Sequence, residues 1–245
     1  MSILFGIHAV EEALASRGRA FEYVAVTSSR GDARIQKIVQ LSRNAGVPVR
    51  PMPRDQLTRL ARTEHHQGVV AVTAEKKYGD LEDLLAHRRA QYAFLLLLDG
   101  IEDPHNLGAL IRTAEAAGAD GIVIPERRAT GVTATVAKAS AGASEYLPIA
   151  KVTNLGRAIE EVKSRNIWTV GLDERGTQTY DSIDYKMDCA IILGAEGYGL
   201  HEQIRKKCDF LVSIPMLGKV PSLNVSVAGA VVMYEVARQR RAAQK

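Results

Sequence analysis

The chain has 245 residues, 46 % hydrophobic and only 5 % aromatic, which supports one large domain or two small ones. So few aromatic side chains argue against a protein that holds single-stranded nucleic acid mainly by stacking bases. The net charge is +4, and residues 1–74 carry all of it, with ten lysines and arginines against six acidic residues. This surplus indicates either an anionic partner for this part of the chain or simply a basic solvated face.

The first 74 residues are predicted to form a small α/β unit. Apolar residues recur at helical spacing after Gly6 and across residues 33–44, and a further short helix is predicted at residues 56–62. Strand character is found in three segments, residues 22–27, 47–50 and 68–73. Residues 75–90 are charged and hold a short amphipathic patch, so we place a linker with a small helix there.

From residue 91 onward, apolar strands alternate with helices. Residues 93–98 form a continuous apolar run, which is typical of a strand covered on both faces of a parallel sheet. The other predicted strands are 121–124, 147–150, 167–172, 189–193 and 210–214, and the predicted helices are 107–117, 132–141, 155–164, 201–207 and 225–241. This succession predicts an α/β fold with a mostly parallel sheet. The sequence lacks the glycine-rich dinucleotide-binding motif that a nicotinamide-dependent oxidoreductase would contain.

The composition also indicates where the protein is located and whether it can form a structural metal site. No apolar run is long enough to span a membrane, and Glu11 and Glu12 stand where a secretory signal would be apolar. The two cysteines, Cys189 and Cys208, are too few for a disulfide framework or a zinc cage. We therefore expect a soluble cytoplasmic protein that contains no structural metal.

The first of three polar segments lies in residues 97–124, where a buried strand runs into a turn and then a helix. Either Asp103 or Asn106 is suited to cap that helix. Arg112, further along the helix, could hold a phosphate with two hydrogen bonds. On spacing alone, an ordinary surface arginine paired with Glu115 is the simpler interpretation.

The other two polar segments also follow predicted strands. Residues 190–200 place three glycines within six residues, which lets the backbone approach a ligand, and Glu196 lies in this loop at the carboxyl end of a strand. By itself, a glycine-rich turn is only a weak indication of a ligand-binding site. Residues 212–235 carry Ser222 and Asn224 in a loop before a helix of small residues, and helix capping explains only one of the two.

In this order and spacing, the three segments resemble the signature motifs of the SpoU/TrmH branch of the SPOUT methyltransferases. Those motifs are N-x-G-x-x-x-R, L-G-x-E-x-x-G-L and I-P-M-x-G-x-x-x-S-L-N-V-S-V-A, and they match from Asn106, Leu193 and Ile214 onward. The match covers roughly residues 91–240. The segments GIHAVEEAL and HQGVVAV are similar to the family's small RNA-binding domain, which has a fold like that of ribosomal protein L30e.

The resemblance implies an L30e-like α/β domain over residues 1–74, a linker over 75–90 and a SPOUT α/β domain over 91–245 with a deep C-terminal trefoil knot. It also implies S-adenosylmethionine as the cofactor, a homodimer formed through the knot region, and no metal. The two-domain layout is most similar to family members that methylate a guanosine ribose in 23S ribosomal RNA. A transfer RNA substrate and a non-catalytic ribosome-assembly protein are the alternatives.

Carried over to this sequence, the resemblance implies three groups of site residues. The catalytic group is Asn106, Arg112, Glu196, Ser222 and Asn224. The cofactor-binding group is Leu193, Gly194, Glu196, Gly197, Ile214, Met216, Gly218, Ser222 and Leu223. RNA contacts are expected from Arg112 and from the cluster His65, His66 and Gln67, since adjacent histidines without a nearby cysteine are poor candidates for a zinc site.

The proton acceptor is not fixed by the motifs. A guanidinium stays protonated at any ordinary pH, so Arg112 is a poor base. We expect it to hold an RNA phosphate and to stabilise the developing alkoxide. Glu196 would accept the proton or orient Arg112, while Asn106, Ser222 and Asn224 would position the ribose and the backbone.

Overall fold

The computed structural model describes residues 1–27, 32–195 and 197–242. Within these residues the elements are, in chain order, β1 (Ser2–Phe5), α1 (Ile7–Ser16), β2 (Phe21–Thr27), α2 (Ala33–Asn44), β3 (Val49–Met52), α3 (Arg54–Ala61), β4 (Val69–Thr73), α4 (Leu81–Ala86), β5 (Phe94–Asp99), α5 (Pro104–Ala116), β6 (Gly121–Pro125), α6 (Ala134–Ala139), β7 (Ile149–Val152), α7 (Leu155–Ser164), β8 (Trp168–Leu172), β9 (Gln178–Thr179), β10 (Cys189–Gly194), α8 (Glu202–Arg205), β11 (Phe210–Ser213) and α9 (Val225–Ala242). Two short 3-10 turns, Ala143–Glu145 and Tyr180–Ser182, complete the set.

The chain divides into two compact units. Unit 1 comprises Met1–Lys77 and Val132–Tyr146, and unit 2 comprises Tyr78–Gly131 and the chain from Leu147 onward. The predicted domain limits differ from this division, because they assigned residues 132–146 to the second domain and treated 75–90 as a linker. In the structure, α4 and the residues around it belong to unit 2.

Unit 1 is a four-stranded sheet in the order β1-β4-β2-β3, covered by helices. Strands β1 and β2 both pair antiparallel with β4, and β3 pairs parallel with β2. The predicted strands and helices of the first 74 residues are present, and β1 is an additional strand of four residues. The core includes Val10 on α1, Val24 on β2, Ile38 on α2 and Ala71 on β4, all fully buried.

The segment 132–146 joins unit 1 through a buried ion pair. The guanidinium of Arg19 donates two hydrogen bonds, of 2.9 and 2.8 Å, to the carboxylate of Glu145, and both side chains are 1 % exposed. The hydroxyl of Tyr146 donates to Glu12 at 2.6 Å. Breaking a buried pair of this kind leaves an uncompensated charge, so the segment is held firmly.

Unit 2 is built on a parallel sheet in the order β7-β6-β5-β10-β8-β11-β9. Every residue of β5 and β10 is buried, which confirms the prediction of strands covered on both faces. Parallel strands bring their carboxyl ends to one edge, so the loops that follow β5, β8, β10 and β11 meet there. The predicted α/β class is confirmed, and the trefoil knot stays a prediction. No helix in the described ranges is long and apolar enough to cross a membrane.

Candidate functional site

A cavity of about 520 Å³ opens at this edge of the unit 2 sheet. Its walls come from the loop after β8, the loop after β10 and the segment that leads from β11 into α9. Among the predicted site residues, those that line it are Leu193, Gly194, Gly197, Ile214, Met216, Ser222, Leu223 and Asn224. Gly218 is not among the lining residues, and Glu196 lies outside the described residues. We call this the first cavity.

Glycine is required where the loop after β10 folds back on itself. A Cβ atom at Gly194 would lie 2.1 Å from the backbone carbonyl of Gly199, so no side chain fits there. The amide of Gly199 donates to the carbonyl of Ala195 at 3.0 Å, and Gly197 and Gly199 have φ values of 80° and 65°. The loop therefore exposes backbone to the first cavity.

A buried carboxylate that the sequence analysis missed connects two walls of the first cavity. Asp173, directly after β8, accepts hydrogen bonds of 2.7 and 2.9 Å from the guanidinium of Arg175 and one of 3.4 Å from the amide of Leu200. Burial alone would raise the pKa of Asp173, but the hydrogen bonds from Arg175 outweigh it and hold the pKa below its ordinary value. This ionised carboxylate therefore fixes the position of the glycine-bearing loop.

The first and third motifs meet through two asparagines. Nδ2 of Asn224 donates to Oδ1 of Asn106 at 3.0 Å, while Oδ1 of Asn224 accepts from the amide of Ser226 at 2.9 Å. Asp103, not Asn106, caps α5, because its carboxylate accepts from the amides of His105 and Asn106. The side chain of Asn106 is thus directed to Asn224 instead of to its own helix.

A second cavity, of about 280 Å³, adjoins the first and shares Ala195, Tyr198 and Val225 with it. Its other lining residues are Gly100, Ile101, Glu102, Asp103, Asn106, Arg128 and His201. Asp99, at the end of β5, accepts from both the amide and Nδ1 of His201, at 2.8 and 3.0 Å. This contact fastens the far end of the glycine-bearing loop to β5.

Arg112 lies on the exposed face of α5, six residues after Asn106, and lines neither cavity. Within the part of the chain that the structure describes, it forms no ion pair, and this includes the possible pairing with Glu115. Within the described residues, Arg112 makes no hydrogen bond or ion pair with Asn106, Ser222 or Asn224.

The expectation that His66 contacts RNA needs correction. His66 is 0 % exposed, its Nδ1 accepts from the amide of Gly68 at 3.0 Å, and its Nε2 lies 3.2 Å from the hydroxyl of Thr58. Burial lowers the pKa of His66, so the neutral ring supports the loop from inside unit 1. His65 and Gln67 are exposed, and Oε1 of Gln67 accepts from the amide of Ile7 at 3.0 Å.

Neither cysteine is placed as a reactive thiol. Burial raises the pKa of Cys189 and of Cys208 to about 12 in each case, which keeps both protonated at neutral pH. Over the described ranges, no group of three or more His, Cys, Asp or Glu side chains is arranged to hold a metal ion.

Comparisons with known proteins agree with these observations. The family described as SpoU rRNA methylase matches residues 93–234, and the family described as RNA 2'-O ribose methyltransferase substrate binding matches residues 3–79. YacO of Bacillus subtilis, named for the TrmH family of tRNA/rRNA methyltransferases, is 45 % identical over 97 % of this chain and 95 % of its own length. The 23S rRNA (guanosine-2'-O-)-methyltransferase RlmB of Bordetella pertussis is 43 % identical over 98 % of both chains.

One solved structure is similar over nearly the whole length of this chain. The SpoU methyltransferase AviRb from Streptomyces viridochromogenes, in complex with the cofactor AdoMet, superimposes with a TM-score of 0.82 at 26 % identity. The similarity covers 98 % of this chain and 90 % of AviRb. Both units of the fold are therefore found together in a solved relative.

Proposed function

Because the chain belongs to the SpoU rRNA methylase family, we propose that it transfers a methyl group from S-adenosylmethionine to a ribose 2'-hydroxyl of RNA, with a guanosine of 23S ribosomal RNA as the substrate. The observation that carries the proposal is the hydrogen bond between Asn224 and Asn106. It joins the first and third motifs at the boundary of the two cavities, where a methyl donor and a ribose would have to meet.

The first cavity fits the cofactor in size and in lining. Its volume of about 520 Å³ lies in the range of small-molecule sites, roughly 300–1,000 Å³. Ile214 and Leu223 offer apolar surface to an adenine ring, and the backbone of the glycine-bearing loop can pair with its polar edge. When bound, S-adenosylmethionine supplies an electrophilic methyl group on a sulfonium, and this chemistry does not need a metal.

The protein contributes to the reaction by positioning the ribose for attack and by stabilising the charge that develops on its oxygen. Asn106 and Asn224 hold the ribose near the first cavity, and Ser222 lines the same wall. Holding two reactants in line can account for much of a rate enhancement. Arg112 binds an RNA phosphate and stabilises the developing alkoxide, and Glu196 accepts the proton, since the guanidinium cannot.

Ribosomal RNA is the preferred substrate because of the separate N-terminal unit. Residues 3–79 match a substrate-binding family, and the RlmB relative at 43 % identity matches over 98 % of both chains. A transfer RNA substrate is the competing proposal, since YacO is named for both RNA classes. Mass-mapping of ribose methylation in RNA from cells with and without this chain tests the choice: a lost 2'-O-methylguanosine in 23S RNA is expected, and a lost tRNA methylation would contradict it.

A homodimer forms part of the proposal. Exposed apolar side chains on α9 and in the loop before it support it, because large exposed apolar patches on proteins often mark interaction surfaces. Leu217 and Val220 in that loop are 99 % and 66 % exposed, and Val227 and Tyr234 on α9 are half-exposed. Solution scattering should give the mass of two chains.

Cofactor binding should be independent of divalent metal. We expect the purified protein to bind S-adenosylmethionine and S-adenosylhomocysteine in calorimetric titrations, because the first cavity is formed without any metal-binding cluster in the described residues. Methylation of unmodified rRNA should proceed undiminished in EDTA. A folded protein that binds neither ligand would contradict the proposed function.

RNA affinity should fall steeply with salt, and unit 1 should supply much of that dependence. Arg43, Arg54 and Arg62 are exposed and form no salt bridge with any described residue. Changing all three to glutamine should reduce the slope of log K against log salt by about 2, since each phosphate contact contributes roughly 0.7–0.9. Fluorescence titration with an rRNA transcript at several salt concentrations measures the slope.

The matched control removes three exposed cations from unit 2 instead. Arg157, Arg165 and Lys206 are exposed, and the last two lie near carboxylates. Their replacement by glutamine should change the slope little. Equal changes in the two triple variants would show that unit 1 is not the principal phosphate-binding surface.

A further inference from the structure

The second cavity is lined by a cation, Arg128, that no described residue neutralises. Arg128 lies in the loop after β6, and among the described residues its guanidinium has no hydrogen-bond or ion-pair partner. The cavity's carboxylates do not serve as partners: Asp103 is occupied in capping α5, and Glu102 forms no ion pair with Arg128. The other titratable side chains among the described lining residues are His201, which is paired with Asp99, and Tyr198, which is 87 % exposed.

The loop that carries Arg128 is held in place at both ends. The amide of Glu126 donates to the carbonyl of Val152 at 2.9 Å, and the amide of Thr130 donates to the carbonyl of Ile101 at 3.0 Å. Gly100 has a φ of 82°, and a Cβ built there would lie 3.8 Å from the carbonyl oxygen of Arg128. The cavity wall and the Arg128 backbone are thus packed together.

The backbone of Arg128 itself is strained. Its φ is 55°, in the left-handed region that side chains other than glycine and asparagine rarely adopt. Such a conformation costs of order 1 kcal/mol and persists only where the surroundings impose it. The result is an arginine whose position is fixed at the backbone while its guanidinium stays available.

We propose that Arg128 holds an RNA phosphate next to the target ribose in the second cavity. The inference rests on the proposed function and adds a residue to its substrate site. Asn106 lines the second cavity and bonds to Asn224, which lines the first, so a ribose beside Asn106 lies between the two cavities. A guanidinium with free N–H groups matches a phosphate with two parallel hydrogen bonds.

Arg128→Ala in the full-length protein should lower kcat/KM for an unmodified 23S rRNA transcript by about tenfold or more, mainly through KM, with the affinity for S-adenosylhomocysteine unchanged. The slope of RNA binding against salt should fall by about 1, the contribution of one phosphate. Arg128→Lys should restore part of the loss, because it keeps the charge but not the paired geometry.

Arg127→Ala is the matched control, since Arg127 is exposed on the same loop but does not line the cavity. It should stay within about twofold of the unaltered protein. Equal losses in the two alanine variants, or an unchanged salt slope for Arg128→Ala, would overturn the proposal. If the unaltered protein methylates neither rRNA nor tRNA transcripts, the proposed function fails, and the salt slopes of RNA binding still decide whether Arg128 binds a phosphate.

Discussion

Arg112→Ala should lower kcat by a factor on the order of 10² or more and leave the affinity for S-adenosylmethionine nearly unchanged. The large effect follows if the guanidinium stabilises charge that develops only in the transition state. The unchanged cofactor affinity follows from the position of Arg112, which is exposed on α5 and does not line the first cavity. Single-turnover methylation and calorimetry with S-adenosylhomocysteine measure the two quantities separately.

Arg157→Ala provides the comparison, because Arg157 is an exposed arginine on α7 of the same unit. Its kcat should match that of the unaltered protein. A variant at Arg112 that kept its kcat and lost cofactor binding would show that this side chain acts on the first cavity and not on the RNA.

The sheet of unit 2 could be predicted because the local sequence of each central strand is by itself typical of a buried strand. Residues 93–98 and 189–193 are unbroken apolar runs, and both proved to be buried strands. The sequence did not indicate that the segment 132–146 packs with unit 1, because its partners are distant in sequence. What places it in unit 1 is the pairing of Glu145 with Arg19, across 126 residues, and no local pattern encodes that pairing.

The motifs predicted most of the first cavity but not what holds it together. Leu193, Ile214 and Ser222 were carried over from the resemblance to the family's motifs, and they line the cavity. Asp173 was missed, although it directly follows a predicted strand, because a single carboxylate after a strand is common. Its importance depends on Arg175 and on the loop at Leu200, which meet only in the folded chain.

The second prediction with a large expected effect concerns how the C-terminal helix α9 stabilises the fold. The guanidinium of Arg240 on α9 donates to four backbone carbonyls, and it also lies 5.3 Å from the ring centre of Phe94. The acceptors are the carbonyls of Tyr185 at 3.1 Å, Tyr92 at 3.0 Å, Ala93 at 2.9 Å and Met187 at 2.8 Å. One side chain thus ties α9 to the amino ends of β5 and β10.

Arg240→Ala should destabilise the protein by about 3 kcal/mol, because four partly buried acceptors lose a charged donor at once. For a chain of this size that corresponds to a fall in Tm of roughly 6–12 °C. Arg240→Lys should recover only part of it, since an ammonium cannot reach four acceptors that the planar guanidinium joins. Arg241→Ala, at an exposed neighbouring position, should shift Tm by no more than about 2 °C. Thermal unfolding followed by far-ultraviolet circular dichroism compares the three variants, and a similar Tm for Arg240→Ala and Arg241→Ala would show that α9 is held mainly by its apolar face.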